Sequence, residues 1–548
     1  MRYVKIELSG KYQEIGSRTI SPGRTKQKHF RFDLFYSQIE GILESRSIQH
    51  VLIDRQTGFS VPAFGGLEEI RAAFQRLAES GKELYYYAPE YNSFDCVLSS
   101  ACKHRILHPL GQVSFLGMAM PSLFLKKLLD KYEVDVTVIR RDRYKSGADN
   151  LRTDKYDKYA RQQYTTLLDG AVSSMRGAVS NSPGTTRGFT SKALDDMIGG
   201  RIFTAPEALE AEMVDELGTL DDLTSKLAKK RIKRKLIKRI RFRIGFVPRV
   251  VVLVFEGMII DGEDRRDPVF GQAIGDRTMI KYIRALRKNP RVKGVVFRIN
   301  SPGGSATASE NILRELKALH EKKPLVISMG PVAGSGGYWI SATGRRLFAL
   351  PTTITGSIGV LSLYFNIGKL LEKYGITADC IKHGESADMG SAYRSLTDKE
   401  HKTVDNIVEF LYQEFINRVA TIRKMSPEKV HEIAEGRLWL GQEAVRQNLV
   451  DEVGGLYDSI SHIKEILKVK KVKVSFEPRQ PFIVRLLEQR RKAANKGALQ
   501  EFPLMAGGPE ETGFSMPQEI ARACLSFHGK LLFQDPLLSQ FFSGFKLP

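Results

Sequence analysis

Residues 200–218 read GRIFTAPEALEAEMVDELG, and residues 436–454 read GRLWLGQEAVRQNLVDEVG. The two stretches align without a gap, 236 positions apart. Short repeat periods indicate solenoids or propellers, whereas a period of this length is the size of a domain. The sequence therefore predicts a tandem duplication of one domain.

The length of the chain agrees with two copies and a tail. It has 548 residues, 42% of them hydrophobic, which is enough to bury more than one core. We predict an N-terminal domain at 1–225, a basic linker helix at 226–248, a C-terminal domain at 249–475 and an extension at 476–548.

Short apolar runs alternate with helical patterns in the same order in both halves. This alternation favours an α/β fold with mixed, largely parallel sheets and flanking helices. Strands are predicted at 3–8, 51–53, 83–88 and 136–139, and again at 250–255, 294–299, 325–328 and 378–381. Helices are predicted at 67–80, 122–132, 309–320 and 368–374, and a long one runs from Thr397 or Asp398 to about Arg423.

The net charge of +22 is concentrated in one segment, where residues 229–243 hold ten Lys or Arg. Apolar residues recur among them near helical spacing, which is typical of a basic amphipathic helix. We favour an anionic membrane surface as its partner, with a solvated linker helix as the alternative. Nucleic acid is disfavoured because no aromatic stacking platform accompanies the charge.

No metal, cofactor or membrane span is predicted. The four cysteines (Cys96, Cys102, Cys380 and Cys524) lack metal-ligand spacing and are interpreted as reduced packing residues. No run of about 18 apolar residues exists, and the N-terminus has no apolar signal core. We therefore expect peripheral membrane association or a cytoplasmic location.

Two glycine-rich loops of the second half carry the candidate chemistry. Residues 331–339 read PVAGSGGYW and place Ser335 at a strand-to-helix turn, where glycines let a substrate approach. The helix N-terminus offers unpaired N–H groups to a developing oxyanion. Residues 298–304 read RINSPGG, and Gly303 and Gly304 can present further N–H groups. Each loop alone could be a plain turn, but together they favour nucleophilic catalysis.

A serine hydroxyl needs a base, and two kinds are open. His383 is the nearest histidine, since it follows the strand predicted at 378–381, although a surface position suits it better. The other possibility is a lysine whose pKa is lowered by burial in an apolar site.

Alignment of the two halves indicates which lysine is the candidate base. We place Ser335 opposite Phe94 and Lys145 opposite Ala387. Residues 300–304 fall opposite about 55–59, where the glycine pair is missing. The second half thus keeps the serine without the lysine, and the first half keeps the lysine without the serine.

Four motifs together resemble signal peptide peptidase A, the protease IV family, in its long tandem form. They are YKS at 144–146, SPGG at 301–304, GSGGYW at 334–339 and TGSIGV at 355–360, and the resemblance covers about 1–475. It implies a Clp/crotonase-like fold, a homotetramer, and a Ser–Lys dyad that degrades hydrophobic peptides such as cleaved signal peptides. Ser335 matches the nucleophile and Lys145 the general base.

The same resemblance implies the other site residues. Backbone N–H groups of Gly304 and Gly336, beside Gly303, match the oxyanion hole. The segment 355–363 matches the lining of the substrate groove, where an extended peptide would add as a strand. Its candidate substrate-binding residues are Thr355, Gly356, Ser357, Ile358, Gly359 and Val360.

Two rival functions remain at this stage. A crotonase-type acyl-CoA enzyme shares the expected fold and glycine-rich loops but needs neither Ser335 nor Lys145. A membrane-associated scaffold would use the basic helix and would leave the pairing of serine and lysine unexplained. We therefore predict a serine endopeptidase.

Overall fold

The computed structural model describes residues 2–16, 29–61, 63–180, 189–228, 247–267 and 271–478. The basic stretch 229–243, most of the predicted linker, and everything past 478 in the predicted extension lie outside the described residues. The predictions for those segments therefore stay predictions.

The first half alternates strands and helices, as its sequence pattern predicts. Its strands are β1 (Arg2–Leu8), β2 (Lys11–Gln13), β3 (His29–Arg31), β4 (Ile48–Arg55), β5 (Glu83–Ala88), β6 (His104–Leu107), β7 (Gln112–Val113), β8 (Asp135–Arg140), β9 (Phe203–Thr204) and β10 (Glu216–Leu217). Its helices are α1 (Phe32–Glu44), α2 (Gly65–Glu79), α3 (Ser93–Ser99), α4 (Lys126–Lys131), α5 (Asp149–Arg152), α6 (Lys158–Ser180), α7 (Ser191–Ile198), α8 (Ala205–Glu210) and α9 (Leu220–Ala228).

The second half repeats this order with additional strands. Its strands are β11 (Arg249–Glu256), β12 (Met258–Ile260), β13 (Arg265–Asp267), β14 (Gly271–Gly275), β15 (Val292–Ser301), β16 (Leu325–Gly334), β17 (Leu347–Ala349), β18 (Ile354–Gly356), β19 (Leu361–Asn366), β20 (Leu438–Leu440), β21 (Glu452–Val453) and β22 (Lys473–Glu477). Its helices are α10 (Asp276–Lys288), α11 (Ala306–His320), α12 (Gly336–Ser341), α13 (Gly368–Lys373), α14 (Asp398–Arg423), α15 (Pro427–Ile433), α16 (Gly441–Arg446) and α17 (Leu456–Ile466).

Each half is built on a largely parallel sheet. The first-half sheet has the order β1-β4-β5-β6-β10, and all its neighbours run parallel. The second-half sheet follows β20-β18-β16-β15-β11-β22, and off this path β17 pairs with β16 and β21 pairs with β17. Apolar runs such as Val250–Phe255 are buried throughout, as expected for strands covered on both faces. Because β22 pairs with β11, the second domain continues past the predicted boundary at 475.

Equivalent hydrogen bonds confirm the tandem duplication. The N–H of Asp215 donates to the carbonyl of Arg105 at 2.9 Å, and the N–H of Asp451 donates to that of Leu347 at 3.1 Å. In each half, the repeated stretch (200–218 or 436–454) therefore binds the equivalent strand of the sheet through the same backbone hydrogen bond. The halves also share apolar core, since Leu67 and Phe74 of α2 belong to one buried cluster with Val326 of β16.

The same equivalence corrects the alignment at Ser335. In the first half Tyr91 pairs with Val113, which pairs with Phe203, and in the second half Ala333 pairs with Thr355, which pairs with Trp439. The repeat aligns Phe203 with Trp439, so Tyr91 corresponds to Ala333, and the residues two positions further on also correspond. The residue opposite Ser335 is therefore Ser93, and the placement of Phe94 there was wrong by one position.

The strand predicted at 378–381 was wrong, whereas its counterpart β8 forms. Strand β8 pairs antiparallel with β19 from the other half of the chain. Residues 378–381 have no strand partner within the described chain, and Ile381 is fully exposed at 102%. A strand needs a neighbour for its backbone groups, which explains the difference. The helix predicted at 122–132 is also shorter, since α4 begins at Lys126.

Candidate active site

Ser335 stands at the turn from β16 into α12, as the glycine pattern predicts. Its φ of 53° and ψ of −122° are unusual for a residue with a side chain. Such strain persists only where the surroundings hold it, and it occurs often at functional sites. The N–H of Ser335 donates to the carbonyl of Gly356 at 2.9 Å, and its own carbonyl accepts from Trp339 at 2.9 Å. The turn therefore fixes the hydroxyl at the end of the central strand.

Lys145 comes from the other half of the chain and meets this serine. It follows β8, and the pairing of β8 with β19 brings it across the junction. Its Nζ lies 3.1 Å from Oγ of Ser335, 2.9 Å from Oγ of Ser357 and 2.9 Å from the carbonyl oxygen of Ser357. One chain thus brings together the two residues that the alignment assigned to different halves.

Burial makes this lysine a potential base. Its side chain is 7% exposed, and burial lowers the pKa of Lys145 to about 7. A neutral amine has two N–H groups and one lone pair. The two oxygens of Ser357 suit the N–H groups, which leaves the lone pair for the hydroxyl proton of Ser335. The geometry therefore fits removal of that proton by Lys145.

The role of Ser357 was missed by sequence reasoning, which placed it only in the substrate groove. Both of its oxygens hold Nζ of Lys145. Its φ of 50° and the bond from its N–H to the carbonyl of Arg437, at 2.7 Å, fix its orientation. Nothing in the motif TGSIGV distinguishes this function from substrate contact, because it depends on a lysine more than 200 positions away.

The glycines of the two loops allow a close backbone approach beside Ser335. A Cβ atom on Gly303 would lie 2.7 Å from Cβ of Ser335, and one on Gly336 would lie 2.7 Å from Oγ of Ser309. The N–H of Gly303 donates to Oγ of Ser301 at 3.2 Å. That leaves the N–H groups of Gly304 and Gly336 as the better candidates for an oxyanion hole.

The segment 355–360 is only partly a groove lining. Ser357, Gly359 and Val360 line the cavity at the site, while Thr355 and Ile358 are buried, and Gly356 lies in β18. Strand β18 is flanked by β16 and β20, so a peptide cannot add to its edge. For the rest of the segment 355–363, addition of a peptide as a strand stays a prediction.

The cavity itself combines Ser335 and Lys145 with apolar walls. It has a volume of about 330 Å³ and contains Lys145 and Ser335. Trp339 and Phe415 both line it, with their rings tilted by 37° and their centroids 4.6 Å apart. Its apolar lining comprises Pro302, Ala306, Trp339, Val360, Leu361 and Phe415.

The equivalent place in the first half is closed by polar side chains. Asp95, next to Phe94, accepts from the hydroxyl of Tyr86 at 2.6 Å and pairs with Arg55 at 3.2 Å. Asn92 caps the following helix. The first half thus keeps a serine at the turn, Ser93, but fills the space that the glycines leave open in the second half.

Other candidates do not join the site. His383 is exposed on the segment without a strand. Among the described residues, no group of three or more His, Cys, Asp or Glu side chains could hold a metal ion. In the same part of the chain, no helix is both long and apolar enough to cross a bilayer.

The fold and the candidate site fit a serine hydrolase, with Ser335 and Lys145 contributed by two copies of one domain. Comparisons with known proteins identify the kind of hydrolase. The model of Peptidase family S49 matches residues 76–233 and 317–470, which together make up more than half of the chain. The first segment contains Lys145 and the second Ser335. The chain belongs to peptidase family S49 and is a serine peptidase.

Relatives resemble the chain over most of its length. Protease 4 of Salmonella typhi is 29% identical over 534 residues, covering 91% of this chain and 84% of that protein. Protease 4 of Haemophilus influenzae is 28% identical and covers 80% of this chain and 73% of its own length. Serine protease SPPA, chloroplastic, of Arabidopsis thaliana is 28% identical over 73% of this chain, which spans 61% of the plant protein.

Proposed function

We propose that the chain is an endopeptidase for hydrophobic peptides in which Ser335 is the nucleophile and Lys145 the general base. The observation that carries the proposal is the 3.1 Å approach of a buried Lys145 Nζ to Oγ of Ser335 across the junction of the halves. Neither rival function gives this pair a role. An acyl-CoA enzyme of the crotonase type needs no serine there, and a scaffold needs no lysine with a lowered pKa.

The proposed reaction follows from the geometry. Neutral Lys145 takes the proton of Ser335 as Oγ attacks the peptide carbonyl carbon, and the carbonyl oxygen becomes an oxyanion. The N–H groups of Gly304 and Gly336 stabilise it. Protonated Lys145 then gives its proton to the leaving amine, and water hydrolyses the acyl-enzyme with the same base.

The apolar cavity supports hydrophobic substrates, such as cleaved signal peptides. A side chain beside the scissile bond would contact Trp339, Phe415 and Val360. Peptides that differ only in one residue, leucine against aspartate, test this preference. We expect a higher kcat/KM for leucine, because burial of a charge in such a cavity is unfavourable. Equal values would contradict the proposed substrate class.

Activity should fall on acidification through about pH 7. The base must be neutral, and burial lowers the pKa of Lys145 from that of an exposed lysine to about 7. Above this pH the amine is free, and below it each pH unit should cost about tenfold in kcat/KM. A pH–rate profile between 5 and 9 measures this limb. A profile that is flat down to pH 5 would exclude a lysine base.

We also propose that copies of the chain assemble head to tail, as a homotetramer. The junction inside one chain is filled: β19 pairs with β8, and a Cβ on Gly436 would lie 2.7 Å from Cβ of Lys145. The equivalent junction would be formed by the first-half counterpart of β19 and the second-half counterpart of β8, and it is open. Residues 119–124 correspond to β19 and residues 377–382 to β8, and neither segment forms a strand.

Exposed apolar side chains at this open junction support a contact with a second copy of the chain. Leu123 is 82% exposed and Ile381 is 102% exposed, and Gly200, the counterpart of Gly436, has no atom within 4 Å of a Cβ position. An interface between two different segments, here 119–124 of one copy and 377–382 of the next, is heterologous. Such an interface closes into a ring when the rotation between copies allows it. A second copy of this chain therefore fits each open end.

Ile381→Asp should break the assembly into smaller species. The charge would replace an apolar side chain at the proposed interface. Light scattering at matched concentrations measures the mass, with Ile407→Asp as a control, since Ile407 is a half-exposed isoleucine on α14 and belongs to neither segment. A tetramer that survives Ile381→Asp, or a parent chain that is monomeric, would contradict the proposed junction.

The basic stretch 229–243 remains our proposal for contact with an anionic membrane surface. Its ten cationic side chains should bind anionic vesicles in a salt-sensitive way. Equal binding to neutral vesicles would instead favour a linker. Nucleic acid stays the less favoured partner.

A further inference from the structure

Lys145 is held by a buried amide that the reaction itself does not use. Gln163 lies on α6 and is 2% exposed. Its Nε2 donates to the carbonyl of Tyr144 at 3.0 Å and to Oγ of Ser146 at 2.7 Å. These are the residues immediately before and after Lys145. A single side chain therefore bonds the two residues that flank the proposed base.

The same amide reaches the other half of the chain. Oε1 of Gln163 accepts the N–H of Leu438 at 3.3 Å. Leu438 begins β20 and lies two residues after Gly436, whose backbone is packed against Lys145. Because both hydrogens of the amide and its oxygen are engaged, Gln163 connects the turn of the lysine to the repeat segment of the half that carries Ser335.

We propose that Gln163 is a positioning residue that keeps Lys145 directed into the apolar junction and within reach of Ser335. The inference rests on the proposed function of the dyad. A second bond supports the same turn, since Nη1 of Arg140 donates to the carbonyl of Lys145 at 2.9 Å. The carbonyls of Tyr144 and Lys145 are thus both fixed from the side of the first half.

The position of this turn matters because the lysine depends on burial to be neutral. Burial alone accounts for its lowered pKa. If the turn loosens, Nζ can tilt toward water, and its pKa should rise toward that of an exposed lysine. Loss of Gln163 should therefore change the pH dependence of the reaction as well as its rate.

Gln163→Met removes all three hydrogen bonds and keeps the length of the side chain. We expect kcat to fall about 10- to 100-fold, because small misplacements of a catalytic group have effects of this size. KM should change much less, since Gln163 is absent from the cavity lining. The acid limb of the pH–rate profile should move up by about one unit or more.

Two further variants make the test specific. Gln162→Leu on the same helix is the matched control, because Gln162 is exposed and its side chain accepts from the hydroxyl of Tyr144 at 3.3 Å, not from the backbone beside Lys145. Its kcat and pH profile should match the parent. Ser146→Ala removes one bond of Gln163 without changing the packing volume much, and it should give a smaller loss with the same direction of pH shift. It decides the question if Gln163→Met does not fold.

Ser335→Ala in the same assay separates failure of the proposed dyad from failure of the positioning role of Gln163. If Ser335→Ala keeps its activity, the proposed dyad fails. If Ser335→Ala is inactive while Gln163→Met retains the kcat and the acid limb of the parent, only the positioning role is overturned. A fall in kcat with an unmoved acid limb also overturns it, because that result indicates general destabilisation.

Discussion

Lys145→Met should reduce peptide hydrolysis about 10³-fold or more, to the level of Ser335→Ala, because a serine without its base is a poor nucleophile. The methionine keeps the length of the side chain and its apolar contacts, so the fold should survive. Initial rates with an unstructured peptide measure the loss. The control is Lys127→Met, since Lys127 is exposed and its side chain belongs only to a surface ion pair with Asp154.

The double variant is the sharper part of this prediction. Residues that act as one unit give losses that do not add. Ser335→Ala combined with Lys145→Met should therefore be no slower than either single variant. Losses that multiply would show that Lys145 acts independently of Ser335.

Arg298→Met should have the largest effect on stability. Arg298 is fully buried on β15, and its guanidinium bonds Glu14 at 2.9 Å and Glu69 at 2.7 Å, both from the other half. Removal of the cation would leave two buried carboxylates without their counter-ion. The free energy of unfolding should fall by about 3–5 kcal/mol, as when one partner of a buried ion pair is removed. Denaturant unfolding measures the change.

A compensated variant tests the cause of that loss. Adding Glu14→Gln and Glu69→Gln to Arg298→Met removes the unpaired charges and should recover part of the stability. Arg346→Met serves as the surface control, since Arg346 and its partner Glu452 are each about half exposed. It should cost at most about 1 kcal/mol. Equal losses for Arg298→Met and Arg346→Met would contradict a buried ionic connection between the halves.

Much of the fold was predictable because its strands are strong local patterns. The apolar runs that became β5 and β11, and the N-cap of α14 at Thr397, can be read directly from the sequence. The segment 378–381 has a similar pattern but no strand beside it. Local preference therefore predicts an element only where the tertiary structure offers it a partner.

The site was predictable to the extent that each residue stood in a motif. Ser335 and Lys145 both did, and the duplication linked them. The offset by one at Phe94 arose because the glycines that mark the turn are replaced in the first half, so only strand register fixes Ser93. Ser357, Gln163 and Arg298 act through residues that are distant in sequence, and no local pattern reveals such contacts.

The first residue of the repeated stretch, Gly200 or Gly436, has different surroundings in the two halves. Gly436 lies against the backbone of Lys145, with no room for a side chain, whereas Gly200 faces open space. The same glycine is thus packed against the proposed base in the second half, while its counterpart in the first half has no neighbour within 4 Å of a Cβ position. Each chain should hold one complete site, formed where its two halves meet.

Complementation between inactive variants tests this claim most directly. Equal amounts of Ser335→Ala and Lys145→Met are unfolded together, refolded together and assayed for peptide hydrolysis. If each site takes its serine and lysine from one chain, every site lacks one of them, and the mixture should be as inactive as its components. Recovery of activity would mean that Ser335 meets the Lys145 of another copy, and it would contradict a site contained within one chain.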